Sequence, residues 1–359
     1  MNSNHNRKSS IFAIYFHNYI SMKKKIGVLL VNLGTPDSPK TKDVRSYLFQ
    51  FLNDKRVIDL PWLFRKILVN GIIVPFRAPK SAKVYKELWT KNGSPIVYHT
   101  HNLCEKLKSS LGPNFHVEYA MRYKNPSLKK ILSGWEGKNF KQIIILPLFP
   151  QYASATNGSV IEQAMNVIKK WWVIPEVSFV TQFFDHELYL KAFEEKGNKY
   201  NFKEYDHIIF SFHGLPERHV DKVYEDGLCK DNDCENGINE ANVFCYKASC
   251  YETALQLAKR FKLKKDDFTI AFQSRLGKGW VEPFSDEIIE ERAKMGDKKL
   301  LVFSPAFVAD CLETTIEIGD EYQEIFEEYG GEKVQLVESL NDSDTWVECV
   351  KQIISKRAL

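Results

Sequence analysis

The sequence predicts an α/β protein with two similar domains, each built on a parallel four-stranded sheet. Eight short apolar runs recur along the 359-residue chain, and a helix-length amphipathic segment follows each of them. Short, nearly continuous apolar runs are typical of parallel strands that helices cover on both faces. A polar and charged segment at 191–203 separates the runs into two sets of four. These three observations predict two doubly wound sheets.

The strands of the first domain are predicted from the runs at 26–31, 116–121, 142–146 and 177–182. Those of the second domain are predicted from the runs at 207–210, 268–272, 300–303 and 334–337. We therefore place the first domain at 23–180 and the second at 181–359. We expect the C-terminal helix to be able to pack back on the first domain.

Residues 1–22 are predicted to be an N-terminal extension that is disordered or dispensable. Their apolar run, 11–16, is too short to span a bilayer. The segment that follows contains Met22 and the lysines at 23–25 instead of a small-residue cleavage site, which argues against a signal peptide. We expect a cytoplasmic protein.

Composition excludes some classes of partner and leaves one question open. A net charge of +4 over this length is too weak to predict nucleic-acid binding. No G-x-G-x-x-G or Walker motif is present, so no nucleotide is implied. The high aromatic content, 13%, fits either a rich core or a pocket for a flat apolar ligand, and composition alone favours the core.

Segment 61–79 is unusually apolar and has two interpretations. It is either a buried helix or an exposed apolar lip that admits an apolar ligand or touches a membrane surface. Arg65 and Lys66 within it keep the second interpretation open. Sequence alone weights the two equally.

Ionisable groups follow two of the predicted strands. The motif SFHGLP, 211–216, comes directly after the run 207–210 and contains His213, and its glycine and proline predict a tight turn. Glu313, Glu317 and Glu321 follow the run 300–303 at a spacing that stacks them on one helix face, and Asp320 adds to the row. The row is either a solvated acidic face or a path for a cation. Because open α/β sheets bind ligands at the carboxyl ends of their strands, both segments are candidate site residues.

Basic and polar groups of the first half form a second candidate set. Arg77, Lys80, Tyr85 and Ser94 flank a predicted helix, and Arg122 with Tyr123 ends a predicted strand. Arginine and lysine suit carboxylate ligands. Taken singly, each is more typical of a surface charge.

Four of the seven cysteines fall within 22 residues, in the pattern C-x4-C-x10-C-x4-C. Four thiolates can hold zinc or an iron–sulfur cluster, although this spacing matches neither the usual zinc ribbon nor the plant ferredoxin. In a reducing compartment we expect metal binding rather than disulfides or free thiols. The predicted ligands are Cys229, Cys234, Cys245 and Cys250.

Taken together, several motifs resemble those of the ferrochelatase family over about residues 24–357. They are VNLGTP at 31–36, GSPI at 93–96, PLFPQY at 147–152, SFHGLP at 211–216, FQSR at 272–275 and FVADCLET at 307–314. The resemblance implies a chelatase-like fold of two Rossmann-like domains around a central cleft. It also implies insertion of Fe²⁺ into protoporphyrin IX, which gives protohaem, the terminal step of haem biosynthesis.

The resemblance further implies roles for individual residues. His213 and Glu313 match the catalytic and metal-contacting pair, and Glu317 and Glu321 match the acidic helix of the metal path. Arg77, Lys80 and Ser94 match positions that meet the porphyrin propionates. Arg122, Tyr123 and Trp280 match pocket residues beside the macrocycle. Segment 61–76 matches an apolar lip, with possible peripheral membrane contact.

Two features of the sequence differ from those of many family members. The cysteine insertion at 229–250 is absent from many members, although some hold a [2Fe–2S] cluster, for which Zn²⁺ is the alternative here. Cys311 stands where some members have histidine.

The alternative functions are a coproporphyrin chelatase, a cobalt chelatase of the same fold, and a porphyrin or haem carrier without turnover. A carrier needs no carboxylate row opposite His213, so the row argues against it.

Overall fold

A computed structural model describes residues 25–359 and contains two parallel four-stranded sheets. The proposed extension, 1–22, lies outside the described residues. The first sheet has the order β2-β1-β3-β4. Its strands are β1 (Ile26–Gly34), β2 (Phe115–Tyr123), β3 (Gln142–Pro147) and β4 (Glu176–Phe179). All four predicted runs of this half are strands, and the fourth ends three residues earlier than expected.

The second sheet repeats this topology with the order β6-β5-β7-β8. Its strands are β5 (His207–His213), β6 (Phe268–Gln273), β7 (Lys299–Phe303) and β8 (Lys333–Leu336). Every strand pair in both sheets is parallel. The α/β fold class is therefore confirmed. One sheet lies on each side of residue 180, which supports the proposed division into 23–180 and 181–359.

Helices connect the strands and cover both faces of each sheet. Those of the first half are α1 (Thr41–Leu52), α2 (Trp62–Ile67), α3 (Val74–Leu88), α4 (Pro95–Leu111), α5 (Leu128–Ser133) and α6 (Ser159–Ile168). Those of the second are α7 (Glu187–Gly197), α8 (Glu217–Asp221), α9 (Tyr246–Phe261), α10 (Ser285–Met295), α11 (Tyr322–Glu328) and α12 (Asp344–Ser355). Three further segments are wound as π-helices: Leu68–Ile73, Ser154–Gly158 and Glu313–Glu321.

Local sequence explains several helix ends. Helix α4 begins with Pro95, whose missing N–H costs nothing at a first helical position, and Gly112 follows it at φ +80°. Helix α5 is capped by Ser127, whose hydroxyl accepts from the Lys130 amide at 3.1 Å. Pro95 and Ser127 therefore mark where their helices begin, and Gly112 marks where α4 ends before β2.

The C-terminal helix α12 joins the two halves of the molecule. It packs against α4 of the first half and α7 of the second, and Trp346 on it is fully buried. Beyond the helix, the Gln142 amide donates to the Arg357 carbonyl at 2.7 Å. The last residues of the chain therefore lie against the start of β3.

The apolar segment 61–79 is an exposed lip rather than a buried helix. It comprises α2, the π-helical turn and the start of α3, and it exposes Trp62 by 65%, Phe64 by 66% and Phe76 by 74%. Val69 is fully buried and fastens the segment to the core formed by α1 and α3. Within residues 25–359, no helix is both long and apolar enough to cross a bilayer.

Candidate active site

Strand β5 places His213 at the carboxyl end of the second sheet. The preceding residues of the strand are buried and His213 itself is half-buried, so its ring reaches the edge of the core. In the parallel register, His213 lies opposite Gln273, the last residue of β6. This edge is where sheets of this class bind ligands.

One ring nitrogen of His213 is hydrogen-bonded to the backbone, and the other is free to bind a proton or a metal. Nδ1 lies 2.6 Å from the carbonyl oxygen of Gly214, and since a carbonyl can only accept, Nδ1 carries the proton. The Nε2 lone pair is therefore left to accept a proton or bind a metal. The Tyr246 hydroxyl holds the backbone by donating to the His213 carbonyl at 2.8 Å, and the Phe307 ring lies 6.3 Å from the imidazole, centroid to centroid.

The turn after His213 requires glycine. The Gly214 amide donates to the Gln273 carbonyl at 2.7 Å, and a Cβ at this position would lie only 2.8 Å from that oxygen. It would also lie 3.3 Å from the ring of Trp280, which pairs with Pro216 through its backbone. The tight turn expected from the sequence thus packs directly on Trp280.

The acidic row begins beside this turn. Gln273 donates from its side-chain amide to the Glu313 carbonyl at 2.8 Å and to the Glu317 carboxylate at 3.1 Å. The segment Glu313–Glu321 is a π-helix, whereas its spacing predicted an ordinary helical face. Such segments are rare and are frequent at functional sites. Through Gln273, the histidine turn and the acidic row share one edge of the sheet.

Glu317 is held more firmly than any other member of the row. Its carboxylate accepts from the Ser274 amide at 2.7 Å and the Ser274 hydroxyl at 2.5 Å, besides Gln273. Ser274 adopts φ +61°, an unusual value for a residue with a side chain. Such conformations cost about 1–3 kcal/mol and cluster at functional sites. The strain here serves to direct two donors at one carboxylate.

The row extends outward toward solvent. Glu313 and Glu317 are half-buried, whereas Asp320 and Glu321 are exposed. Partial desolvation by the surrounding protein, followed by the charge of Glu317, raises the pKa of Glu321 above its ordinary value. Asp310 does not join the row, because its carboxylate accepts from the Ser339 amide at 3.0 Å and the Asn341 side chain at 2.7 Å.

Helix α3 of the first half packs against the acidic helix. Tyr85 on α3 is buried, and its pKa is raised by burial and then by the charge of Glu313. Ser94 is also buried and donates to the Thr35 hydroxyl at 3.1 Å. Arg77 and Lys80 are exposed, and within residues 25–359 neither forms an ion pair. Both cations are available to an anionic ligand.

Arg122 and Tyr123 are bound into a network that the sequence analysis did not foresee. Arg122 donates to Asp54 at 2.5 Å and to the Ser159 hydroxyl at 2.7 Å, and the Tyr123 hydroxyl donates to Asp54 at 2.9 Å. Although burial opposes ionisation, the hydrogen bonds from Ser159 and the Arg56 backbone and the charge of Arg122 lower the pKa of Asp54. The buried phenol of Tyr123 therefore faces a carboxylate.

Four residues of this region were given no role from the sequence: Asp54 and Ser159, and also Gln273 and Ser274, which were noted only as part of the FQSR motif. The last two directly follow the apolar run 268–272, so the rule that singled out His213 applies to them as well. Asp54 and Ser159 carry no such signal. They are 105 residues apart in sequence, and only the fold brings their side chains to 2.7 Å.

Three of the four predicted cysteine ligands come together. Cys229 and Cys234 each place Sγ 3.5 Å from the Sγ of Cys245, and all three are buried. Cys250 does not belong to this group; it lies in helix α9, where it packs beside Tyr246 in the core. The hydroxyl of Tyr224 lies 3.0 Å from Cys234 Sγ instead. The expected four-cysteine set is thus a three-cysteine set in this structure.

Comparisons with known proteins agree with the motifs. The ferrochelatase family model matches residues 25–358. A ferrochelatase of Legionella pneumophila strain Paris is 44% identical over 332 residues, covering 92% of this chain and 99% of that protein. One of Coxiella burnetii strain RSA 493 is 40% identical over 344 residues, covering 94% and 95% of the two chains.

Solved structures support the fold alone. SirB from Bacillus subtilis with Fe³⁺ matches with a TM-score of 0.54 at 11% sequence identity, covering 93% of this chain and 96% of that one. The sirohydrochlorin chelatase SirB in complex with cobalt, from B. subtilis subspecies spizizenii, matches with a TM-score of 0.53 at the same identity. The chelatase-like fold is confirmed, and the full-length relatives confirm the resemblance seen in the motifs. The chain belongs to the ferrochelatase family, enzymes of haem biosynthesis that insert ferrous iron into a porphyrin.

Proposed function

We propose that this ferrochelatase acts on protoporphyrin IX, with His213 and Glu313 as its catalytic and metal-contacting pair. One observation supports the proposal above all others. An imidazole with a free Nε2 and a row of carboxylates are joined at one sheet edge through Gln273. The product is protohaem, the last compound of the haem pathway.

His213 is proposed to accept the pyrrole protons. Insertion exchanges two N–H protons for one Fe²⁺, so the iron keeps its oxidation state and two protons leave the porphyrin. An imidazole can take up a proton at one ring nitrogen and release it again, which suits it to act as a general base. Its Nδ1 bond to Gly214 fixes the ring so that Nε2 is the accepting atom.

The acidic helix is proposed to guide Fe²⁺ inward and protons outward. The exposed carboxylates, Asp320 and Glu321, would meet hydrated iron first, and Glu317 and Glu313 would follow. Oxygen ligands can replace the water of the ion one at a time, which lowers the cost of dehydration. The raised pKa of Glu321 also lets this residue carry a proton more readily than an ordinary glutamate.

Porphyrin contacts are proposed on both sides of the cleft. Arg77 and Lys80 are unpaired surface cations that suit propionates, and Ser94 offers a hydroxyl nearby in the chain. Trp280 and Phe307 flank the histidine turn and would contact the ring face. Arg122 and Tyr123 would act beside the macrocycle through the Asp54 network. Tyr85 would line the porphyrin site on the side of the first half, close to Glu313.

The deciding experiment is a metal and porphyrin panel on the purified enzyme, followed by absorbance. We expect Fe²⁺ with protoporphyrin IX to give the highest kcat/KM. Faster turnover of coproporphyrin, or of Co²⁺, would assign the enzyme to one of the two chelatase alternatives. Tight binding of porphyrin without turnover of any metal would leave only the carrier.

The three-cysteine group is proposed to hold a metal centre. Hydrogen bonds from Cys229, then from Cys245 and Tyr224, lower the pKa of Cys234, so one thiolate forms readily there. Three sulfurs this close suit a single Zn²⁺ ion, whereas a [2Fe–2S] cluster, in which each iron takes two thiolates, would need Cys250 to move and supply a fourth. A bound metal would brace the segment 229–250.

We expect the purified protein to carry the colour of a [2Fe–2S] cluster before any substrate is added. Absorbance between 400 and 600 nm and metal analysis would measure it, and Cys234→Ser should remove both colour and metal. Cys104→Ser is the matched control, because Cys104 is buried in the first half, away from the group. A colourless, zinc-loaded preparation would replace the cluster with the zinc alternative.

The lip segment 61–76 is proposed to touch a membrane surface peripherally. The enzyme itself is proposed to be cytoplasmic. Trp62, Leu63 and Phe64 are exposed together, with Lys66 beside them. Aromatic side chains and cations favour the interface of an anionic bilayer. This contact would also place a greasy substrate near the mouth of the cleft.

Vesicle sedimentation tests the lip. Vesicles of phosphatidylcholine with phosphatidylglycerol should bind the wild-type protein, and the pair Trp62→Ser with Phe64→Ser should lower binding at least fivefold. Trp172→Ser is the matched control, because Trp172 is 97% exposed elsewhere on the surface. Equal losses in the control and in the lip variant would reject the assignment.

A further inference from the structure

A cavity of about 490 Å³ lies between the lip and the cysteine segment, outside the residues assigned to iron or porphyrin. Leu60, directly before the lip, and Arg65 within it form one wall. Leu215, Val223 and Phe244 of the second half form another. Its volume is in the range of small-molecule sites. Neither His213 nor Glu313 lines it.

Basic side chains outnumber acidic ones in the lining of this cavity, which contains Lys55, Arg56, Arg65 and Lys222. Lys55 and Arg56 pair with Glu162, which does not line the cavity. Asp59 is the acidic residue among the lining groups, and two cations and an imidazole already contact it. Lys222 lies at 2.6 Å, Arg218 at 2.8 Å and His219 at 3.1 Å from its carboxylate. Asp59 therefore has little capacity to neutralise a further cation.

Arg65 is the unusual group in this lining. It is only 8% exposed, yet within residues 25–359 it has no carboxylate at ion-pair distance. Residues 1–24 contain no aspartate or glutamate that could supply one. One nitrogen donates to the carbonyls of Ile58 and Leu60, and its buried Nε has no partner. Buried charges are normally paired, because leaving one uncompensated is costly.

Much of the remaining lining is apolar, besides the hydroxyls of Tyr152, Ser154 and Tyr246. Leu60, Leu215, Val220, Val223 and Phe244 surround the cationic groups. An inorganic anion would satisfy Arg65 but would leave these walls facing water. A ligand with an anionic head and an apolar body would match both parts of the lining.

We propose that this cavity binds an amphipathic anion, with a carboxylate or phosphate head paired to Arg65 and an apolar body against Leu60, Val223 and Phe244. The proposal does not depend on which porphyrin the enzyme prefers. A ligand bound there would touch residues next to the cysteine group and next to the histidine turn. Val223 adjoins Tyr224, which contacts Cys234, and Phe244 adjoins Cys245. Leu215 lies two residues from His213.

Calorimetric titration of the full-length protein tests the proposal with four probes. Dodecanoate and dodecyl phosphate carry a head and a body, whereas acetate and inorganic phosphate carry the head alone. We expect one molecule of each amphipath to bind, at least tenfold more tightly than its head alone. Heads that bind as tightly as the amphipaths would overturn the assignment of an apolar body.

Variants locate the binding. Arg65→Met should weaken both amphipaths at least tenfold, and Val223→Trp should do the same by filling the cavity while leaving Arg65 in place. Lys66→Met is the matched control, because Lys66 neighbours Arg65 in sequence but does not line the cavity. Circular dichroism would confirm that each variant is folded. Unchanged binding in Val223→Trp, or an equal loss in Lys66→Met, would overturn the proposal.

Discussion

Replacing His213 with alanine should lower the rate of iron insertion by about 10²- to 10⁴-fold, the usual worth of a general base, while porphyrin still binds. The ring is the only part of His213 that the substitution removes. The backbone contacts of the turn, from Tyr246 to the His213 carbonyl and from Gly214 to Gln273, remain available. The pocket should therefore keep its shape and lose its proton acceptor.

Single-turnover absorbance would measure insertion, and quenching of porphyrin fluorescence would measure binding. Partial recovery of iron insertion on adding imidazole would show that the variant lacks the proton acceptor and keeps the structure of the site. His101→Ala provides the control, since that histidine is exposed on α4. Full activity in the His213 variant would reject the assignment of the base.

Replacing Trp346 with alanine should lower the free energy of unfolding by about 3–5 kcal/mol, as for other large-to-small changes in a core. Its ring is fully buried, 5.5 Å from the ring of Phe183 and 6.3 Å from that of Tyr189, centroid to centroid. Its indole N–H has no hydrogen-bond partner in the part of the chain that the structure describes, so the loss is one of packing. Because α12 contacts both halves, the cavity would weaken their connection as well.

Guanidinium unfolding, monitored by circular dichroism, would give this free energy. Trp172→Ala is the matched control: the same side chain is removed from a position that is 97% exposed. The control should change the stability by no more than about 0.5 kcal/mol. Similar losses in the two variants would show that α12 does not anchor the fold.

The eight strands and the position of His213 could be predicted from the sequence by itself. A strand buried on both faces must be apolar along its whole length, and that requirement is visible in any run such as 207–210. The polar motif that follows such a run, here SFHGLP with His213, must then lie close to the carboxyl edge of the sheet. Six specific motifs also sufficed to indicate the family.

Other features were decided by the tertiary structure. An apolar segment such as 61–79 is compatible with a core or an exposed lip, and only its neighbours show that Trp62 and Phe64 face outward. The partner of Tyr123 is Asp54, 69 residues away, and Cys250 is separated from the cysteines beside it in sequence. Periodicity reports how buried a residue is, because burial depends on its own chemistry. It does not report which distant side chain fills the space opposite, because that depends on how the whole chain folds.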